Sequence, residues 1–180
     1  KYPDIAFYGL VTGPFTLGLH LLGTDIFVKM MEDPDYTHEL LEFTTRVAEK
    51  ISDFYIDAGC EVIALVDPMT SQIDPVSFNS YVSGYASRLF DHIRNRKAYS
   101  SFFVCGHAQQ NIEEMCKCRP DNISIDENIP LDYVREFADK YGISFGGNMK
   151  LTMVLLRGTP DEAQKEAMEC IDMGGKQGFV

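Results

Sequence analysis

Short apolar runs alternate along this chain with longer stretches in which apolar residues recur at helical spacing. "IAFYGLVTGPF", "EVIALVDP", "YSSFFVCG", "NISIDE" and "ISFGGN" are strand-sized, and "QGFV" begins another. Between them lie the helical stretches. "DIFVKMMED" is followed by "PDYTHELLEFTTRVAEKISDFYIDAG", where Leu40, Leu41, Val47, Ile51, Phe54 and Tyr55 approximate the 3.6-residue period and Gly59 closes the helix. "DPVSFNSYVSGYASRLFDHIRNR" opens with Asp74 as N-cap and Pro75 at the first helical position. "AQQNIEEMCKC" and "PLDYVREFADKYG" come next, the latter ended by Gly142. "TPDEAQKEAMECIDMGG" carries Thr159, Pro160 and Glu162 in a capping-box arrangement. The first run, "IAFYGLVTGPF", passes from a strand into a Gly-Pro turn.

Strands that are apolar on both faces and alternate with helices predict a parallel α/β sheet covered by helices. The polar residues sit at the C-terminal strand ends: Asp67, Cys105, Asp126-Glu127 and Asn148. Active groups gather at that end in a (β/α)8 TIM barrel. The glycine-rich phosphate loop of a doubly wound sheet is not matched by "GLVTGPFTLG". A whole barrel takes about 250 residues, and about six strands are counted here, so residues 1–180 read as a single, incomplete barrel domain. Lys1 at the start and a strand beginning near Val180 read as ends cut from a longer protein.

Composition narrows the partners. The formal net charge is -11 with 45% hydrophobic residues, a globular balance that disfavours nucleic-acid binding, which needs a basic stripe. The apolar runs are far shorter than the roughly 18 residues of a membrane span. "KYPDIAFYGL" lacks the basic start and apolar stretch of a signal peptide. Five cysteines, an odd number, fit reduced thiols in a cytoplasmic setting better than a disulfide framework.

"FFVCGHAQQN" carries the sharpest chemical question. Cys105 and His107 are one residue apart, and Gly106 lets the backbone turn between them. Thiolate plus imidazole is a zinc-like pair, but a zinc site needs at least three protein ligands. The alternative is a small buried thiol followed by a loop histidine. Cys116 and Cys118 are discounted as ligands, because the intervening helix carries them away from the strand end. Asp67 and Asp126-Glu127 suit metal binding, histidine orientation or acceptance of a substrate N–H, and equally suit capping. Asn148 follows two glycines and suits a turn. His20, His38 and His92 fall in helical or pre-helical segments as surface or packing residues. Met30, Met31, Met115 and Met168 fall at core-like helical spacing, and Cys170 reads as helix packing.

Taken together, "GPFTLGLHLLG", "VDPMTSQIDPVSF", "FVCGHAQQNIEEM", "NISIDE", "FGGN" and "LLRGTPDEAQKEAMECIDMGGKQGFV" resemble the uroporphyrinogen decarboxylase superfamily, and within it the methylcobamide methyltransferase branch. The resemblance implies a TIM barrel and a methyltransferase. A corrinoid held by a partner protein would present a methyl group at the barrel mouth to a small acceptor such as coenzyme M or tetrahydrofolate. It implies catalytic roles for Asp67, Asp126 and Asn148, and a cofactor-facing segment at Gly13, Pro14 and Phe15. In zinc-dependent members a His-x-Cys pair, an acidic residue and a late cysteine hold zinc. Cys105 and Glu127 match two of these, Phe103 stands at the histidine position, His107 is the stand-in, and the late cysteine would fall beyond Val180. Two other functions remain open at this level: a porphyrinogen decarboxylase, a carboxy-lyase, and a non-catalytic barrel that docks a corrinoid protein.

Overall fold

The computed structural model describes residues 4–175 and 178–180. Five strands form one sheet: β1 (Tyr8–Thr12), β2 (Val62–Val66), β3 (Tyr99–Val104), β4 (Asn122–Ile125) and β5 (Ser144–Gly146). They neighbour one another in chain order, and every pair is parallel. A doubly wound sheet reverses its strand order at a switch point. Strictly sequential order is the pattern of a (β/α)8 barrel. Phe179 bridges Phe145 in parallel and begins a sixth strand position; Gln177, also expected there, lies outside the described residues.

The helices are α1 (Pro14–Leu22), α2 (Asp25–Glu32), α3 (Pro34–Asp57), α4 (Pro75–Phe78), α5 (Gly84–Asn95), α6 (Ile112–Lys117), α7 (Leu131–Tyr141) and α8 (Pro160–Gly174). α4 and α5 run into each other through a π-helical turn, Asn79–Ser83, so the stretch read as one helix is one with a wide turn inside it. A 3-10 turn, Gln109–Asn111, leads into α6. The caps follow the sequence. Asp74 accepts from the Val76 and Ser77 N–H groups, Thr159 and Glu162 form the capping box, and Gly142 takes the left-handed conformation after α7.

Strand side chains alternate between two faces. One face meets the helices. Val11, Ile63, Leu65, Phe102, Val104, Ile123 and Phe145 are buried there, with the Phe102 ring between Phe78 and Phe90. The other face is concave and open. Tyr8, Leu10, Ala64, Val66, Ser101, Phe103 and Ser124 line a hollow of about 350 Å³, and Tyr8 and Leu10 are 53% and 62% exposed. Part of this face is polar: Ser101 and Ser124 Oγ both donate to Asn122 Oδ1 at 2.8 Å.

Three expectations change. The Gly-Pro expected to make a turn after the first strand opens a helix, "PFTLGLHLL". Met31 and Met168 are exposed rather than core; each lies on the outward side of its helix. Phe54, placed on the apolar face of the long helix, is 63% exposed, because the buried face runs through Leu41, Thr44, Thr45, Ala48 and Ser52 and Phe54 lies off it. The discounted cysteines Cys116 and Cys118 are buried in the helix layer, where desolvation pushes their thiols up to about 12 and about 11.

Candidate functional site

All the polar strand-end residues stand at one end of the sheet, because each follows the C-terminus of a parallel strand. They do not share one pocket. Parity separates them: Asp67 continues the Ile63, Leu65 alternation and faces the helices, whereas Cys105 continues the Ser101, Phe103 alternation toward the concave face.

Asp67 is fully buried. Its Oδ1 accepts from Thr16 N–H at 2.8 Å and Thr16 Oγ1 at 2.5 Å, and its Oδ2 accepts from Phe15 N–H at 3.4 Å. These donors open α1, whose own preceding residue, Gly13, has no capping side chain. Asp67 therefore caps a helix across 51 residues of chain. Desolvation by burial outweighs the Thr16 and Phe15 hydrogen bonds and raises its pKa from 3.8 to about 6. The expected catalytic role at Asp67 thus meets a carboxylate committed to α1.

Gly13, Pro14 and Phe15 are buried as well. A Cβ on Gly13 would overlap the Asp67 carboxyl group, and Pro14 C=O accepts from Thr44 Oγ1 at 3.0 Å. The expectation of a cofactor contact here meets three residues whose visible work is helix initiation and close packing. The required glycine reflects the approach of Asp67; its φ of -62° is open to any residue.

Cys105 and Asp126 do come together. Gly106, at φ +78°, turns the backbone so that its N–H donates to Asp126 Oδ2 at 2.9 Å. The left-handed φ is the reason a glycine stands there. Asp126 also accepts from Asn128 N–H at 3.0 Å and Asn128 Nδ2 at 2.7 Å. Burial first, and then the Asp126 charge, raise the Cys105 thiol pKa, so this sulfur is held as a neutral thiol. Phe103 lies on the concave face two residues earlier.

Glu127 and Asn148 share a separate cleft of about 220 Å³ with Lys150, Glu166 and Cys170. Asn148 Nδ2 donates to Ile129 C=O at 2.6 Å, which ties the end of β5 to the loop after β4. His107 is exposed and lines another surface cleft with Gln109, Gln110, Asn128 and Tyr133.

The zinc set can be tested against this arrangement. Among the described residues no three His, Cys, Asp or Glu side chains gather as metal ligands. Cys105 and Glu127 occupy neighbouring strand ends, His107 opens onto a different cleft, and Phe103 puts a ring where a donor would stand. These residues alone do not make a zinc site.

Asn111 was missed by sequence reading. It is fully buried, and its Nδ2 donates to both Thr70 C=O and Ile73 C=O at 2.9 Å. A lone Asn beside "QQ" carries no motif, and no local signal marks it as buried.

A sequential parallel sheet with active-type groups at its C-terminal end defines a TIM-barrel protein of the enzyme type. The model of the uroporphyrinogen decarboxylase (URO-D) family matches residues 1–180, and the chain belongs to that family. It is similar to the methylcobamide:CoM methyltransferase MtaA of Methanosarcina barkeri, 25% identical over 96% of this chain and 51% of that protein. The corresponding MtbA of Methanosarcina acetivorans is 21% identical over 95% of this chain and 50% of its own length. A uroporphyrinogen decarboxylase of Anaeromyxobacter sp. is 25% identical over 96% of this chain and 50% of that protein. Among solved structures, a methyltransferase from Methanosarcina mazei superposes with a TM-score of 0.89 at 22% identity, covering 98% of this chain and 52% of that one. The chain spans about half the length of the curated relatives it matches. No described helix is long and apolar enough to cross a membrane.

Proposed function

We propose that the protein is a corrinoid-dependent methyltransferase, working between a corrinoid-carrying partner protein and a small methyl acceptor at the C-terminal mouth of the barrel. The observation that carries this reading is the character of the concave face. The hollow lined by Tyr8, Leu10, Ala64, Val66, Ser101, Phe103 and Ser124 holds no charged side chain, and Asp126, which follows β4 on the same alternation as Asn122 and Ser124, puts an acidic group at its C-terminal end. A porphyrinogen with many carboxylates calls for several cations on such a surface, whereas a methyl group carries no charge and an acceptor such as coenzyme M carries a single anionic group away from its reacting sulfur. The similarity of the whole chain to methylcobamide:CoM methyltransferases supports the same choice.

A corrinoid held by the partner would supply the methyl group and keep the electron pair of the bond that breaks, while the acceptor's sulfur or nitrogen would supply the pair for the new bond to carbon and give up its proton. Glu127, exposed in the neighbouring cleft it shares with Asn148, is the candidate to take that proton. Asp126, fixed by Gly106 and Asn128, sets the shape of the mouth beside Cys105. Asn148 holds the neighbouring loop through Ile129. Phe103 keeps the wall dry.

The test incubates the intact protein with methylcobalamin and, separately, coenzyme M or tetrahydrofolate. Loss of methylcobalamin absorbance with methylated acceptor as product is expected. Decarboxylation of uroporphyrinogen without methyl transfer overturns the proposal, and so does binding of a corrinoid protein with neither reaction.

A further inference from the structure

The turn that carries Cys105 is not held by its own strand alone. Ala108 N–H donates to Gly106 C=O and Asn111 N–H to Ala108 C=O, both at 2.9 Å, so residues 106–111 form a compact double turn. The turn is fastened at its far end by the buried Asn111 side chain, which reaches Thr70 and Ile73 in the loop after β2. Two carbonyl acceptors fix which end of the amide points at that loop, since an oxygen there would face two others. Gln110 Nε2 adds a bond to Ile73 C=O at 3.2 Å. The loop itself is anchored on its other side: Thr70 Oγ1 donates to Asp67 C=O at 2.7 Å, and Met69 N–H to Thr16 Oγ1 at 3.1 Å. Ser71 sits close to the turn, 3.5 Å from where a Cβ on Gly106 would stand.

We propose that Asn111 is a positioning residue, which holds the Cys105–Gly106–His107 turn at the barrel mouth by tying it to the loop after β2. The bearing of this on methyl transfer rests on the reading of the mouth given above, but the positioning itself does not. Burying an amide whose Oδ1 has no partner among the described residues is unfavourable. The two bonds from Nδ2 are what keep it there.

The experiment measures iodoacetamide alkylation of each cysteine in the intact protein by peptide mass spectrometry, with Asn111→Ala and Gln110→Ala as variants. Cys60, half-buried before β2 at the opposite end of the sheet, is the internal control, and the buried Cys116 and Cys118 report general unfolding. The expected result is an acceleration at Cys105 of about tenfold in Asn111→Ala. A smaller acceleration is expected in Gln110→Ala, with Cys60 unchanged and Cys116 and Cys118 still protected. An unchanged Cys105 overturns the proposal, as does a rise shared by all the cysteines, which would make Asn111 a general packing residue. If Asn111→Ala does not fold, Gln110→Ala, a change at an exposed side chain, decides by the same criterion. Alkylation needs no methyl transfer, so a protein that fails the methylcobalamin assay still gives this answer, and the two failures are told apart.

Discussion

Replacing Asp67 by Asn isolates the effect of burying a carboxylate under α1. In the folded protein Asp67 titrates at about 6, against an ordinary value of 3.8. Between those values the folded state binds the proton and the unfolded chain does not, so stability from this group falls as pH rises. The gap of about two pH units, at about 1.4 kcal/mol each, makes the whole effect about 3 kcal/mol. It is fully present below about pH 4 and lost above about pH 6. Over pH 4.5 to 7.5 the wild type should therefore lose about 2 kcal/mol relative to Asp67→Asn, which cannot ionise. Urea unfolding followed by far-UV circular dichroism, at fixed ionic strength and in steps across that range, measures it. Subtracting the variant's curve removes the titration of every other group. A flat difference would refute the reasoning. A wild type that gains stability relative to Asp67→Asn as pH rises would refute it in a more informative way: the Thr16 and Phe15 donors, helped by the positive end of α1, would then hold the carboxylate as an anion against its burial.

Other substitutions test other parts of the structure. Gly13→Ala places a methyl into the Asp67 carboxyl group and should cost about 3 kcal/mol in the same urea assay. Phe102→Ala removes the ring packed between Phe78 and Phe90, at a cost of about 3–5 kcal/mol by the same measurement. Thr159→Ala breaks the capping box of α8 and should lower stability by about 1 kcal/mol, with exchange of the α8 amides rising first. Asp126→Ala frees the Gly106 N–H and should reduce methyl transfer from methylcobalamin by at least about tenfold while leaving the urea midpoint within a few tenths molar.

The sheet was legible because each strand is a short apolar run closed by punctuation that acts locally: Pro68 after β2, Gly106 after β3, Gly142 before β5. Asp74 and Thr159 were legible as caps for the same reason, since a cap and its N–H donors lie within three residues. α1 was not. Its cap is Asp67, far along the chain; Pro14 stands in the first turn as Pro75 and Pro160 do, but Gly13 before it offers no capping side chain and Gly18 interrupts the helix-forming run. The same separation hid the position of Asp67. Its place at a strand end was correct, but alternation from Ile63 and Leu65 puts it on the helix side, a signal the sequence did contain. Cys105 and Asp126 could be matched to neighbouring strand ends, yet their contact depends on the left-handed turn at Gly106, which fixes directions that spacing alone leaves open. Asn111 was beyond reach, because its partners are carbonyl groups brought near by the fold.

The borrowed cap on α1 also sets an order of events during synthesis. When residues 14–22 leave the ribosome, the side chain that will satisfy the amides of Phe15 and Thr16 has not yet been made. A nine-residue helix without its cap is marginal in water. It has to wait until β2 has been translated and laid beside β1, as Gly13 N–H is then bonded to Val66 C=O at 2.8 Å. The first strand and helix are therefore not a self-sufficient folding module. The smallest piece that completes α1 runs from Tyr8 through Asp67, and a nascent chain stalled before Asp67 should leave Thr16 open to hydrogen exchange.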